Sequence, residues 1–203
     1  MRDTIRKDTG KRHAHKYTNQ NPIHRLALKK YVDTLAKTLR PLNVGSVLDF
    51  GCGEGFLLER LEGAGIRFPS YHGVDVRPEA IETAKVRHPH QSFSTGDILC
   101  LPQQPGSFDL VLACQVLEHV PDPARLLQRL TEISSRYVLL TVPLEPWFQI
   151  MNLLRGRDLA NLGNHPEHIN HWGVRSFRAF VSKALRAHSI SVSFPFIVLL
   201  GEK

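Results

Sequence analysis

The sequence predicts an α/β fold in which a doubly wound, mostly parallel sheet is covered by helices on both faces. Up to Pro143, short β-rich runs alternate with amphipathic segments of helical spacing. Such alternation is typical of parallel sheets, because parallel neighbours need a crossover connection and a helix supplies it. The chain has 203 residues, 42% of them hydrophobic, which is enough for one domain with one substantial core.

Each predicted element follows from its apolar spacing and from the residues that begin and end it. Asn21 can cap a first helix that carries Pro22 in its first position and ends near Pro41. Further helices are predicted at Glu54–Glu62, from Pro78, from Pro123 to about Ser134, and near Ser176–Ala187. Strands are predicted at Ser46–Phe50, Tyr71–Val76, Gln91–Thr95, Phe108–Cys114 and Tyr137–Val142.

The regular alternation breaks after Pro143. We interpret residues 144–173 as an insertion that forms a lid or the wall of a pocket. Two β-rich runs, Ile190–Phe194 and Phe196–Glu202, close the chain and are almost contiguous. They are expected to form an antiparallel pair with Pro195 at or near the turn.

The net charge of +7 belongs to the N-terminal end. Residues 1–40 contain 11 Lys and Arg side chains against 3 Asp and Glu side chains, and the rest of the chain is close to neutral. We interpret residues 1–20 as a basic, disordered tail and residues 21–203 as a single domain. The alternative is that the basic end contacts RNA, anionic lipid or an acidic substrate.

Cysteine spacing and hydropathy indicate a cytoplasmic location. Cys52, Cys100 and Cys114 lie far apart and form no CxxC pair, which argues against a disulfide framework and a zinc knuckle. The chain contains no apolar run of the length of a membrane span, and its first residues are polar rather than the apolar segment of a signal peptide.

A glycine-rich turn follows the first predicted strand, at the sheet edge where open α/β sheets bind ligands. Gly51, Gly53 and Gly55 have GxGxG spacing, whereas a dinucleotide site has GxGxxG. Asp49 precedes the turn, and its carboxylate would repel a pyrophosphate but attract a cationic ligand. Each glycine alone is equally compatible with a structural turn.

Acidic residues also follow the next two predicted strands. Asp75 closes the second strand, where its carboxylate can accept both hydroxyls of a ribose. Asp97 and Ile98 follow the third strand, where a carboxylate and an apolar side chain suit an adenine amino group and ring face. For Asp97 the structural alternative is a helix or turn cap. Together with Asp49, these positions predict a site for a positively charged nucleoside.

Five short segments together resemble the motifs of the class I S-adenosylmethionine-dependent methyltransferases, especially the branch related to ubiquinone-pathway O-methyltransferases. The segments are Asp49–Gly55, Gly73–Asp75, Gly96–Ile98, Phe108–Val111 and Val116–Val120. The resemblance implies a Rossmann-like, seven-stranded, mostly parallel sheet with helices on both faces and an antiparallel C-terminal strand. It implies S-adenosylmethionine as cofactor, bound by Asp49, Gly51, Cys52, Gly53, Gly55, Asp75, Val76, Asp97, Ile98 and Gln115.

His119 is the candidate catalytic base. Methyl transfer from a sulfonium is an in-line displacement that depends largely on alignment, and a base is needed only when the acceptor keeps its proton. His119 follows the fourth strand, and an imidazole can accept a hydroxyl proton near neutral pH. The structural alternative is that His119 caps or packs the turn before Pro121.

Three histidines at a spacing of three, ending at His171, precede Trp172 in a polar segment. We expect His168, His171 and Trp172 to form a wall of the acceptor pocket, and the alternative is a surface loop anchored by Trp172. Relatives with the motif Glu-x-x-Glu-His use it to bind a metal. Here Gln115 replaces the first glutamate, so no metal is predicted, and Glu118, His119 and His168 form only a weak candidate site.

Residues 144–157 combine an apolar run with two arginines. The favoured interpretation of this segment is a lid helix packed on the sheet, and the alternatives are contact with a membrane, which the resemblance implies, and a pocket for a hydrophobic acceptor. Trp147 and Tyr17 are further candidates for acceptor contact.

The leading functional hypothesis is methylation of a small molecule, with O-methylation favoured. The alternatives are RNA methylation that uses the basic N-terminus, which is not favoured, and a scaffolding protein without catalysis. Nothing in the sequence indicates the oligomeric state.

Overall fold

The part of the chain that the computed structural model describes forms a seven-stranded sheet in the order β3-β2-β1-β4-β5-β7-β6. The described residues are 22–100, 102, 104–154 and 168–203, without the side chains of Ile23 and Leu154. The strands are β1 (Ser46–Phe50), β2 (Ser70–Asp75), β3 (Ser92–Thr95), β4 (Phe108–Cys114), β5 (Ser134–Pro143), β6 (Arg186–Ser193) and β7 (Phe196–Glu202).

Strands β1 to β5 are parallel, and β7 runs antiparallel between β5 and β6. Pro195 lies in the turn between β6 and β7, so the predicted terminal pair is confirmed. Because β1 lies between β2 and β4, the carboxyl ends of all three strands meet at one edge of the sheet. This is the edge where the sequence predicts a ligand.

The helices lie close to their predicted positions, with two corrections. They are α1 (Pro22–Leu39), α2 (Phe56–Gly63), α3 (Pro78–Arg87), α4 (Pro123–Ile133), α5 (Trp147–Leu154) and α6 (Val174–Val181), with a 3-10 turn at Leu117–His119. Helix α2 begins two residues after Glu54, because the glycine turn extends to Gly55 in a left-handed conformation.

The second correction concerns the end of α6, which was predicted to run to Ala187. Phe177 and Val181 bury the apolar side of α6, and the helix stops at Val181. Ala187 instead pairs with Gly201, and the strand pairing satisfies the backbone hydrogen-bonding groups from Arg186 onward.

Helices cover both faces of the sheet, as predicted. Successive residues of the central strands, such as Val47 and Leu48 in β1, are fully buried on opposite faces. Helices α1, α2 and α3 pack on one face, and α4 and α6 pack on the other. This two-sided burial explains why the strands are continuous apolar runs in the sequence.

Several predictions fall on residues outside the described ranges and stay predictions: the cap at Asn21, the basic tail, the contact of Tyr17, and the roles of Arg155 and Arg157 in the insertion. Within the described ranges, none of the helices combines the length and the apolar character that crossing a lipid bilayer requires.

Candidate functional site

The glycine turn is built from three left-handed residues that connect β1 to α2. Gly51, Gly53 and Gly55 have φ angles of 77°, 57° and 77°. Gly51 N–H donates to the carbonyl of Val74 at 2.7 Å, which ties the turn to β2. A Cβ on Gly51 would lie 2.5 Å from Val116 Cγ2, so the turn also runs against the segment that follows β4.

Asp75, the last residue of β2, organises this turn through both carboxylate oxygens. Oδ2 accepts the Gly53 N–H at 2.9 Å. Oδ1 accepts the backbone N–H of Arg77 at 3.0 Å and its side-chain Nε–H at 3.2 Å. Two carboxylate oxygens offer about four acceptor positions, so one remains on Oδ2. A contact to both ribose hydroxyls would require the Arg77 side chain to leave Oδ1.

Asp49 lies inside the sheet beneath the turn, with 2% of its surface exposed. The Tyr71 hydroxyl donates to Asp49 Oδ2 at 2.6 Å. Burial raises the pKa of Asp49 to about 6, although the Tyr71 hydrogen bond acts in the opposite direction. The buried carboxylate therefore provides negative charge below the turn, and its predicted pairing with a cationic ligand stays a prediction.

Asp49→Asn is expected to stabilise the folded protein at neutral pH. The pKa of Asp49 is about 6 in the folded protein and has a reference value of 3.8, so the folded state binds more protons between these values. The free energy of unfolding of the wild type therefore falls as the pH rises from 3.8 to about 6. Above this window the wild type bears the full cost of burying the ionised carboxylate. Urea unfolding should show a gain of about 1–3 kcal/mol at high pH and almost none at about pH 4.

Asp109→Asn provides the matched control, because backbone N–H groups, chiefly that of Gly45, lower the pKa of Asp109. This carboxylate stabilises the fold when ionised, so the variant should lose stability at neutral pH and approach wild type in acid. A stability difference for Asp49→Asn that is equal at all pH values would contradict the burial penalty.

The remaining side chains predicted to contact the cofactor, of which Asp97 and Ile98 were assigned to adenine, differ in exposure. Val76 is 49% exposed and offers apolar surface next to Asp75, whereas Ile98 is fully buried in the core. Asp97 Oδ1 accepts the Leu99 N–H at 2.9 Å, so Asp97 does cap the turn after β3. Cys52 is buried, and its N–H donates to the Val74 carbonyl at 3.1 Å. The cofactor contacts of these residues stay predictions.

Gln115 has a φ of 61°. Among the residues that the structure describes, it is the one non-glycine residue with a positive φ. Its N–H donates to the Thr141 carbonyl at 2.9 Å, and its Nε2 donates to Thr141 Oγ1 at 3.2 Å. Thr141 Oγ1 also bonds the Tyr31 hydroxyl of α1 at 2.9 Å. Left-handed non-glycine residues cost roughly 1–3 kcal/mol and cluster at functional sites. No sequence pattern indicated the contribution of Tyr31.

Glu118, His119 and His168 come together at the end of β4. Glu118 is 1% exposed, and its Oε1 lies 4.0 Å from His119 Nε2. The rings of His119 and His168 meet edge to face, with centroids 4.9 Å apart. One nitrogen or carboxylate oxygen from each of the three residues lies within 4.8 Å of the others.

Hydrogen bonds from Ile169 and Asn170, in the last part of the insertion, attach this part of the chain to the cluster. Ile169 N–H donates to the Glu118 carbonyl at 2.9 Å. Asn170 Nδ2 donates to the carbonyls of Val120 at 2.7 Å and Leu117 at 3.0 Å. This polar segment therefore adjoins His119, as the pocket-wall prediction requires.

The remaining acceptor candidates lie in different environments. Trp172 is 8% exposed and packs against Phe177 and Phe180, so it anchors the segment in the core. His171 Nδ1 lies 3.6 Å from Oε1 of Glu145, whose side chain is only 8% exposed. Trp147 is 52% exposed.

Phe148 of α5 is a residue that sequence reasoning missed. Its ring lies 5.2 Å from that of His168. The only sequence signal for this contact is the amphipathic spacing of the insertion. Phe148 therefore connects α5 to the histidine cluster.

Comparison with known proteins identifies the family. The family described as a methyltransferase domain matches residues 16–184. The chain is 34% identical over 123 residues to the ubiquinone biosynthesis O-methyltransferase of Thiobacillus denitrificans, a match that covers 55% of this chain and 50% of that protein. It is 33% identical over 114 residues to the protein of the same name from Xylella fastidiosa. That match covers 53% of this chain and 44% of the Xylella protein. The chain thus spans about half the length of the curated relatives that it matches.

Solved structures show the same fold. Magnesium protoporphyrin IX methyltransferase from Synechocystis PCC 6803, in a structure with bound SAH, superimposes with a TM-score of 0.71 at 15% identity, and the match covers 100% of both chains. The chain belongs to the methyltransferase-domain family. These findings confirm the prediction, made from the motifs, that the chain is a class I S-adenosylmethionine-dependent methyltransferase. They also confirm the predicted Rossmann-like sheet.

Proposed function

We propose that this protein transfers the methyl group of S-adenosylmethionine to a hydroxyl group of a small-molecule acceptor. The observation that carries the proposal is the proximity of the histidine cluster to the glycine turn. Gly51 lies against Val116, and Val116 is three residues before His119. A cofactor seated on the turn would have His119 and His168 as neighbours on its acceptor side.

The binding half of the proposal rests on charge and hydrogen bonding. Asp49 and Asp75 supply two buried carboxylates next to the turn, and S-adenosylmethionine carries an ammonium and a sulfonium. Asp75 accepts a ribose hydroxyl, and the exposed side chain of Val76 packs on the adenine ring. Donor and acceptor are then aligned in a site from which water is largely excluded.

The chemical step is an in-line displacement. The acceptor oxygen forms a bond to the methyl carbon as the bond from carbon to sulfur breaks, and the hydroxyl proton passes to His119. The Glu118 carboxylate, 4.0 Å from His119 Nε2, stabilises the imidazolium that forms. S-adenosylhomocysteine and the methyl ether are the products.

A hydrophobic acceptor is favoured by the apolar outer face of α5. Trp147, Ile150 and Leu153 recur at helical spacing and are 52%, 38% and 37% exposed. Phe148, on the other side of α5, contacts His168. An apolar acceptor can therefore pass from this helix to His119, and contact of residues 144–157 with a membrane surface would present such an acceptor.

The test is an assay with S-adenosylmethionine labelled in its methyl group. The purified protein is incubated with phenolic acceptors that carry apolar side chains, with amines and carboxylic acids of similar size, and with transfer RNA. The proposal predicts label in the phenolic ether. Label in RNA alone, lost when residues 1–20 are deleted, would support the RNA alternative and refute the proposal.

Metal-assisted methyl transfer is a second candidate, favoured by the ligand set of Glu118, His119 and His168. Two imidazoles and one carboxylate suit zinc, manganese or iron. The donor atoms all lie within 4.8 Å of one another, close enough for all three residues to face one ion. A bound ion would act as a Lewis acid on the acceptor oxygen.

If the cluster binds a metal, His168→Ala should abolish saturable uptake of Mn²⁺ or Zn²⁺ by chelator-treated protein, and His188→Ala on the distant strand β6 should not. Calorimetry measures the uptake, and the methyl-transfer rate is measured with and without the ion. Absence of uptake by the wild type, together with a rate that a chelator leaves unchanged, would rule out the metal and leave His119 as the base.

A further inference from the structure

Two consecutive side chains at the end of α3 bond two consecutive carbonyls of the glycine turn. Arg87 Nε–H donates to the Glu54 carbonyl at 3.1 Å. His88 Nε2–H donates to the Gly55 carbonyl at 3.0 Å, and this hydrogen bond is buried. We call Arg87 and His88 the α3 clamp.

The clamp is itself fixed by neighbouring groups. Arg87 Nη1 pairs with Glu59 Oε2 at 2.8 Å, and its guanidinium lies 4.0 Å above the Phe56 ring. His88 Nδ1 lies 3.5 Å from Glu62 Oε2. Glu59 and Glu62 both belong to α2, so the clamp bridges the end of α3 to α2.

Gly55 is shaped to receive this contact. A Cβ at Gly55 would lie 2.8 Å from His88 Cδ2 and 3.1 Å from Nε2, so any side chain would push the imidazole away. The Gly55 carbonyl also accepts the first hydrogen bond of α2, from the Glu59 N–H at 3.1 Å. The same oxygen therefore fixes both the helix axis and the last peptide plane of the turn.

We propose that Arg87 and His88 are positioning residues for the cofactor, because they hold the peptide planes on which the proposed S-adenosylmethionine contacts of the glycine turn depend. The other anchors of the turn, Val74 and Asp75, bond only its first half, at Gly51, Cys52 and Gly53. The clamp supplies side-chain anchors for the second half. A turn with both halves fixed binds its ligand without a loss of conformational freedom.

The inference rests on the proposed role of the turn in cofactor binding, so the experiment compares two kinds of variant. His88→Met and His88→Gln have side chains of nearly equal size and differ in the ability to donate a hydrogen bond. Calorimetry measures the affinity for S-adenosylmethionine, and initial rates separate the KM for S-adenosylmethionine from kcat. Lys85→Met, at an exposed position of α3 where Lys85 pairs with Glu82, is the control.

His88→Met is expected to weaken S-adenosylmethionine binding roughly three- to tenfold and to raise its KM similarly, with kcat at saturating cofactor almost unchanged. His88→Gln should restore binding to within about twofold of wild type. Wild-type affinity in folded His88→Met would overturn the proposal. Equal weakening in both variants would also overturn it, because the donated hydrogen bond would then not be the cause.

Arg87→Met keeps the proposal testable if His88→Met does not fold, because Arg87 is partly exposed. Weakened binding in this variant supports the clamp, and unchanged binding refutes it.

The Asp75→Ala variant and the wild type together distinguish failure of the clamp from failure of the proposed cofactor-binding role of the glycine turn. Weak binding in Asp75→Ala together with normal binding in both clamp variants refutes the clamp alone, whereas failure of the folded wild type to bind S-adenosylmethionine refutes the assignment of the turn.

Discussion

Asp75→Ala is expected to weaken S-adenosylmethionine binding roughly 10- to 100-fold while the protein remains folded. The variant removes the predicted acceptor of the ribose hydroxyls, and hydrogen bonds to a charged group contribute about 1.5–3 kcal/mol. It also releases the Gly53 N–H and the Arg77 side chain, which both bond this carboxylate. Calorimetric titration measures the affinity, and circular dichroism checks the fold.

Asp109→Ala is the matched control for this variant. Asp109 also accepts backbone N–H groups, from Gly45 at 2.7 Å and Ser46 at 3.0 Å. It lies near the amino end of β4, however, whereas the glycine turn lies at the edge formed by the carboxyl ends of the strands. It should therefore lower stability without changing the affinity for the cofactor. Equal affinity of folded Asp75→Ala and wild type would rule out the ribose contact.

His119→Ala is expected to lower kcat for a hydroxyl acceptor by roughly 10²- to 10⁴-fold, the usual contribution of a general base. The affinity for S-adenosylmethionine should stay within about twofold of wild type, because the proposed cofactor contacts come from other residues. The pH–rate profile of the wild type should rise through the titration of an imidazole, and this inflection should disappear in the variant.

His188→Ala, on strand β6 where His188 pairs with Glu202, controls for the loss of an imidazole far from the turn. It should leave kcat and the pH–rate profile unchanged. A wild-type rate in His119→Ala would show that His119 packs the turn before Pro121 and does not transfer the proton.

The architecture from α1 to β5 could be predicted because local signals and burial agree there. Continuous apolar runs such as Phe108–Cys114 occur where a strand is covered on both faces, and the sheet confirms this for β1, β4 and β5. Near Ala187 the local signal was misleading. Polar residues with helical spacing extend beyond Val181, but pairing with β7 outweighs helix propensity from Arg186 onward.

Long-range contacts in the candidate site could be predicted only in part. The spacing of Asp49, Asp75 and the glycines placed them at one sheet edge, because parallel strands end together. The approach of His168 to His119 depends on Asn170 bonding the 3-10 turn, and no local pattern encodes that distance. The sequence around Gln115 likewise does not indicate its left-handed backbone conformation, because that conformation depends on hydrogen bonds to Thr141.

Calorimetric titration of the purified protein with S-adenosylmethionine, and separately with NAD, tests the central claim most directly. A turn of GxGxG spacing beside two buried carboxylates predicts saturable binding of one S-adenosylmethionine per chain and no binding of NAD. Failure of the folded protein to bind S-adenosylmethionine would contradict the account and favour a scaffolding role. Binding of NAD instead would reassign the turn to a dinucleotide.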